Sequence, residues 1–282
     1  MAQKTTLILE GGAMRGLYSA GVLDVFMQNN INVDTIYGVS AGALFGLNYK
    51  SRQIGRALRY NLKYAHEKNY MGWYSLITTG NVMNKDFCFN KLVFELDKLD
   101  FETYKNNPVD FYAVVTNLQT GQPEYIKIDD AKDGLEYFRA SGSMPFVSKP
   151  VEIDGNSYLD GAISDAVPFK KALENGSEKI IVVLTKHSEH NRKEKSHLPY
   201  KLFYGKYPNF VKTANNAYNK YNETMDLIEK YESENKIIVL RPSKLIKMKR
   251  VEKNKNKLQS MYNLGVCDCK NNLDKIKAYI KD

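Results

Sequence analysis

Short apolar runs alternate along this chain with longer stretches of helical periodicity. Thr6-Leu7-Ile8-Leu9 is a mostly apolar run of strand length, and residues 17–28 carry Leu17, Ala20, Leu23 and Met27 at the spacing of one helix face. Thr35-Ile36-Tyr37 suits a short buried strand, and the residues from Ala43-Leu44-Phe45 onward suit a helix. Residues 110–116 form the next strand, with a turn over 119–123 leading into a strand over 124–128. A short helix is expected over 135–140, a hairpin at Asp154-Gly155, and a helix over 168–174 that has Pro168 near its start and ends at Asn175-Gly176. Beyond these come a buried strand over 179–184, a long helix over 215–231, a strand over 236–240 closed by Arg241-Pro242, and helices over 251–262 and 269–280. Strands alternating with helices predict an α/β fold, a three-layer α/β/α sandwich around a mostly parallel sheet covered on both faces.

Two of the strand-to-helix junctions are rich in glycine. Gly38-Val39-Ser40-Ala41-Gly42 fits G-x-S-x-G, the pattern of a serine held on a sharp turn. Small residues on both sides of Ser40 let the backbone turn tightly, and the following helix aims its N-terminal amides at charge developing on the serine. A glycine-rich turn around an ordinary serine has the same spelling. The other junction is Glu10-Gly11-Gly12-Ala13-Met14-Arg15-Gly16. If the two strands are parallel neighbours, both turns reach the carboxyl edge of one sheet, where α/β proteins place ligands. Amides at Gly11 and Gly12 would then face Ser40, as an oxyanion hole requires. The glycines fit neither G-x-G-x-x-G nor G-x-x-x-x-G-K-[ST], so a nucleotide phosphate loop is disfavoured. Helix capping explains the turn but not Arg15, because a cation in a first helical turn opposes the helix dipole. Its presence implies an anionic partner or a salt bridge.

A nucleophilic serine needs a base. Of the four histidines, His66 lies in a polar helical run, and His187, His190 and His197 lie in a polar surface stretch over 186–197. None has a small-residue turn to hold an imidazole in a site, so a Ser-His-Asp triad is poorly supported. Asp160, in Tyr158-Leu159-Asp160-Gly161-Ala162, is the stronger candidate. An Asp-Gly pair often makes only a turn, but Asp154-Gly155 already supplies one here.

With these residues in place the chain resembles the patatin-like phospholipase family, in its uncharacterised bacterial branch. The resemblance rests on Gly11 to Gly16, Gly38 to Gly42 and Asp160 to Ala162 in order, and on Arg139-Ala140-Ser141-Gly142-Ser143-Met144-Pro145 ahead of the aspartate. It is specific over residues 5–185 and weaker beyond. It implies a patatin-like fold, Ser40 as nucleophile and Asp160 as base without a histidine. Gly11, Gly12, Ala13, Arg15 and Gly16 would form the oxyanion loop, and Gly38 and Gly42 would flank the serine. It calls for no metal and no cofactor. One departure is Ala13, where plant members usually keep glycine; alanine still offers its N–H. The implied reaction is hydrolysis of acyl lipid esters, of phospholipase A or lysophospholipase type, with the Asp160 pKa raised by burial so that it can act as base. An acyltransferase would use the same residues. A basic membrane- or nucleic-acid-binding protein with a decayed site is the reading outside enzymology.

Composition bounds these readings. A chain of 282 residues with 43% hydrophobic residues can bury a substantial core. It divides into a catalytic core over 1–185 and a basic part over 186–282, expected to pack on the core as one domain. The overall net charge is +9, but residues 186–282 hold 22 Lys and Arg against 11 Asp and Glu. The earlier part holds 19 against 21. The densest run is Lys244, Lys247, Lys249, Arg250, Lys253, Lys255 and Lys257. It suits peripheral contact with an anionic membrane, and it suits equally a solvated lysine face. No nucleic-acid motif accompanies it, so no nucleic-acid partner is expected. Tyr200-Lys201-Leu202-Phe203-Tyr204-Gly205-Lys206-Tyr207 interleaves aromatics with lysines, as an interface-seeking lid or a packed helix would. No secretory leader or membrane-length apolar run is evident, so a cytoplasmic location is expected. Cys88, Cys267 and Cys269 form neither a disulfide framework nor a zinc site; Cys88 reads as a core residue and Cys267-Asp268-Cys269 as helical.

Overall fold

The computed structural model describes residues 4–190 and 198–281. Its strands are β1 (Thr5–Leu9), β2 (Thr35–Val39), β3 (Asp110–Asn117), β4 (Pro123–Lys127), β5 (Val151–Ile153), β6 (Asn156–Asp160), β7 (Lys179–Val183) and β8 (Ile238–Leu240). They form one sheet in the order β5-β6-β3-β2-β1-β7-β8, with β4 paired to β3. The central pairs β3-β2, β2-β1, β1-β7 and β7-β8 are parallel, whereas β4 and β6 run antiparallel to β3. β5 and β6 are joined by Asp154 and Gly155, both at positive φ (50° and 78°), as a tight hairpin turn requires.

Successive side chains of a strand point to opposite faces, and the two largest cores follow that alternation. Leu7, Leu9, Ile181 and Val183 join one core with Leu23 and Phe26 of the helix Leu17–Gln28, Phe45 of the helix Ala41–Lys50, and Met261 of the helix Lys255–Asn271. Ile8, Ile180 and Val182 join the other with Phe169 of the helix Phe169–Glu174 and Tyr221, Met225 and Ile228 of the helix Pro208–Ser233. The result is an α/β/α sandwich. The part beyond residue 185 is woven into it, because β8 extends the sheet and the helix Lys255–Asn271 lies directly on Leu17–Gln28. A Cβ at Gly21 would stand 2.3 Å from the Tyr262 carbonyl oxygen, and one at Gly265 would stand 2.0 Å from that of Tyr18. Backbones this close leave room only for glycine.

Several elements differ from the sequence expectation at their ends. The long helix starts at Pro208, which occupies its first turn, where the missing N–H is harmless. The helix expected over 251–262 begins at Lys255, because the Asn254 side chain accepts from the Lys257 N–H and caps it. It then runs through Cys267 and Cys269 to Asn271, and the last helix is Leu273–Lys281, not 269–280. β8 covers only 238–240, and β4 ends at Lys127. His66 is exposed in a turn after the helix Arg56–Tyr64, not in a helix. His197 lies outside the described residues.

Candidate active site

Ser40 stands between the end of β2 and the start of the helix Ala41–Lys50, at φ 54° and ψ −122°. An L-residue is strained there, and its neighbours make the turn possible. A Cβ at Gly38 would lie 2.7 Å from the Ala43 Cα, and one at Gly42 would lie 2.3 Å from the Leu9 carbonyl oxygen. The Ser40 N–H donates to Ser141 Oγ (2.8 Å), which donates in turn to the Val114 carbonyl (2.7 Å). A buried hydroxyl from the segment 139–145 therefore ties the turn to β3.

Sheet register brings Asp160 to Ser40. Val39 is opposite Val114, and Asp160 is opposite Val115, so β3 holds the two junctions one residue apart. Ser40 Oγ donates to Asp160 Oδ2 at 2.7 Å, and both residues are under one-tenth exposed. The other carboxylate oxygen, Oδ1, accepts from the Ala162 N–H (2.9 Å). The Asp160 carbonyl accepts from Thr116 Oγ1 (2.8 Å), and its own N–H donates to the Ser143 carbonyl (2.8 Å). Gly161 is needed because a Cβ would meet the Val114 carbonyl oxygen at 2.3 Å.

The loop over 11–16 closes on the same point. A Cβ at Gly11 would stand 2.8 Å from the Ser40 Cβ, and one at Gly12 would stand 2.4 Å from Thr185 Oγ1. Among the described residues the amides of Gly11, Gly12 and Ala13 donate to no protein group. Ala13 sits at φ 49°, in the left-handed region where glycine is at ease, so alanine is tolerated there with strain. Glu10 is buried beneath the loop. Its carboxylate accepts from the Thr185 N–H (2.7 Å), Thr185 Oγ1 (3.0 Å) and Tyr221 OH (2.8 Å). Lys186 Nζ donates to Tyr221 OH at 3.2 Å, and burial lowers its pKa while Glu10 opposes the shift. Of the two readings of Arg15, an anionic partner or a salt bridge, the salt bridge is not found among the described residues. No carboxylate lies within ion-pair distance among the described residues, and its Nε is buried without a hydrogen-bond partner.

Two spaces meet at Ser40. One is an apolar cavity of about 110 Å³, walled by Leu44, Phe45, Phe89, Leu92, Phe138 and Met144 among others. Part of that wall, including Phe89 and Leu92, comes from a π-helix over Phe87–Leu96 that the sequence reading did not assign. The other is an open, more polar cleft of about 380 Å³ holding Glu10, Arg15, Asp160, Pro145, Phe146 and Lys186. Arg250 borders both. The basic run therefore reaches the site through Arg250, whose carbonyl accepts from the Met14 N–H (3.4 Å). Neither His66 nor His187 borders either space. Sequence reasoning missed the wall residues and Arg250. Only the apolar spacing within 87–96 hinted at the former, and nothing local hinted at the latter.

A family model described as Patatin-like phospholipase matches residues 7–173, and one described as a domain of unknown function (DUF6363) matches residues 207–281. The uncharacterized protein YjjU of Escherichia coli (strain K12) is 29% identical over 187 residues, covering 64% of this chain and 52% of YjjU. Lysophospholipase NTE1 of Cryptococcus neoformans var. neoformans serotype D is 26% identical over 192 residues, covering 64% of this chain and 11% of that protein. The chain thus matches about half the length of one relative and a small part of the other. Among solved structures, VipD from Legionella pneumophila aligns over 98% of this chain and 67% of its own, with a TM-score of 0.46 and 13% identity.

Proposed function

The chain belongs to the patatin-like phospholipase family, and from that premise we propose that it is a serine acyl hydrolase working through a Ser40–Asp160 dyad. The observation that carries this is the 2.7 Å hydrogen bond from Ser40 Oγ to Asp160 Oδ2 at the junction of an apolar cavity and a polar cleft. An acyl chain fits the first space and a polar head group the second. Ser40 Oγ attacks the ester carbonyl carbon as its proton passes to Asp160 Oδ2. The oxyanion forms beside the unpaired amides of Gly11, Gly12 and Ala13, which need no reorganisation to receive it. The carbon–oxygen bond to the alcohol breaks, and Asp160 returns the proton to the departing oxygen. Water then attacks the acyl-Ser40 ester, losing its proton to Asp160, and Ser40 leaves with that proton.

A relative named as a lysophospholipase favours a single-chain acyl lipid as substrate. The proposal places the chemistry in residues 1–185, with 186–282 completing the same folding unit. It also includes a cytoplasmic location with peripheral contact at anionic membrane. Among the described residues no helix is long and apolar enough to cross a membrane. The test is a fluorophosphonate probe together with hydrolysis of a soluble p-nitrophenyl ester. Ser40→Ala should abolish labelling, and Ser40→Ala and Asp160→Asn should each lower turnover about 10³-fold or more. Changing any one histidine should leave most activity. A histidine variant as inactive as Ser40→Ala would replace the dyad with a triad.

A further inference from the structure

Two short helices with exposed apolar tips share one anchor at the mouth of the cleft. The helix Trp73–Thr79 carries no charge and leaves Trp73 78% and Ile77 81% exposed. The helix Tyr200–Tyr204 buries Tyr200 and Tyr204 but leaves Leu202 79% and Phe203 62% exposed. Both are fixed to the segment 146–149. Phe146 packs against Tyr200, Phe203 and Tyr204 with ring centroids 5.0 to 5.5 Å apart. On the other side the Val82 N–H donates to the Val147 carbonyl (2.7 Å), the Lys149 N–H donates to Asn81 Oδ1 (2.9 Å), and Val82 O accepts from the Gly72 N–H that opens the first helix. Phe146 and Val147 themselves border the cleft beside Ser40. The exposed tips therefore flank the entrance.

The stretches that build this face are mostly basic, with Asp86, Glu152, Glu223 and Glu252 at their ends and Lys85 paired to Glu136 (3.1 Å). Residues 69–85, 142–151, 198–222 and 241–251 contain eleven lysines and arginines and no aspartate or glutamate. Lys253 and Lys149 approach the two ends of the helix Trp73–Thr79, their side chains within 3.4 Å of where a Cβ at Gly72 or Gly80 would lie. Large apolar side chains held out in water by short helices, with Lys253 and Lys149 beside one of them, match the chemistry of an anionic lipid–water interface. Apolar groups enter the acyl boundary there, and cations meet the phosphates.

We infer that this face docks on anionic lipid, with Trp73 and Ile77 on one side of the entrance and Leu202 and Phe203 on the other inserted into the interface. The inference rests on the lipid-hydrolase reading and gives it a surface. It also divides the segment over 200–207: Tyr200 and Tyr204 serve packing, while Leu202 and Phe203 serve the interface.

Trp73 is the only tryptophan in the chain, so its fluorescence reports on one tip directly. The experiment uses the whole 282-residue chain with Ser40→Ala, which leaves the lipid intact, with phosphatidylcholine vesicles and with phosphatidylcholine vesicles containing phosphatidylglycerol. With anionic vesicles the emission should shift to the blue and be quenched by bromine-labelled acyl chains. Co-sedimentation should weaken with salt as screening requires. The pairs Trp73→Ser with Ile77→Ser, and Leu202→Ser with Phe203→Ser, should each weaken co-sedimentation about tenfold or more. In the Ser40 background the same pairs should hydrolyse a soluble p-nitrophenyl ester as the unaltered protein does. That assay reports separately on the hydrolase reading. Co-sedimentation with Trp73 unshifted and unquenched would overturn the inference. So would absence of binding to anionic vesicles, or a lipid-free dimer dissolved by the same pairs.

Discussion

Replacing Ser141 by alanine removes one oxygen atom and tests how the serine turn is held. Ser141 is fully buried, and its Oγ is the acceptor for the Ser40 N–H at 2.8 Å and a donor to the Val114 carbonyl at 2.7 Å. Among the described residues the Ser40 N–H has no second acceptor, and the space left by one oxygen is too small for a water. An unsatisfied buried donor costs about 1–3 kcal/mol, so Ser141→Ala should lose about that much stability in urea denaturation. The same bond holds Ser40 at φ 54°, a conformation that costs about 1–3 kcal/mol and persists only while its surroundings enforce it. Without the clamp the turn can relax and carry Ser40 Oγ away from Asp160. A displacement of about 1 Å at a reacting atom lowers turnover about 10²-fold. Hydrolysis of a soluble p-nitrophenyl ester at saturating substrate should therefore fall by one to two orders of magnitude, chiefly in kcat. Stability unchanged within about 0.5 kcal/mol together with unchanged kcat would refute the reasoning.

Gly265→Ala gains about 1 kcal/mol of helix propensity, yet its Cβ would lie 2.0 Å from the Tyr18 carbonyl oxygen, forcing two packed helices apart. The net should be a loss of about 1–3 kcal/mol, and a raised melting temperature would contradict the close packing. Asp165 has its pKa raised by burial, opposed by the hydroxyl of Tyr125 (2.7 Å) and by Lys220 and Lys170. A raised folded pKa means that its stabilising contribution is complete below the unfolded carboxylate value of about 4 and is lost as pH rises through the folded one. Asp165→Asn should therefore gain stability relative to the unaltered protein between about pH 4 and pH 7. In urea titrations a difference constant across that range would refute the shift, and one that falls with rising pH would show the sign to be wrong.

Local backbone needs were legible in the sequence. Gly38, Gly42, Gly11 and Gly161 stand where a Cβ would strike a neighbour, and such sites are spelled by glycine whatever lies far away. The strands β1, β2, β3 and β7 were legible because their apolar runs are buried between two helical layers, and the hairpin because Asp154-Gly155 accepts positive φ. The helix starts were less so, since a cap such as Asn254 acts through one side-chain bond that periodicity does not register. What tertiary structure alone decided is the company Ser40 keeps. Asp160 is 120 residues away and meets it only because β2 and β6 are both registered on β3. Ser141 looks like any serine until Ser40 and Val114 fall on either side of it. Arg250 and the π-helix over Phe87–Leu96 reach the cavity through packing of whole elements. A sequence writes the conformation each residue can adopt. Which distant residues then become neighbours depends on sheet register and helix packing, which sum weak preferences over many positions and so leave no mark at any one of them.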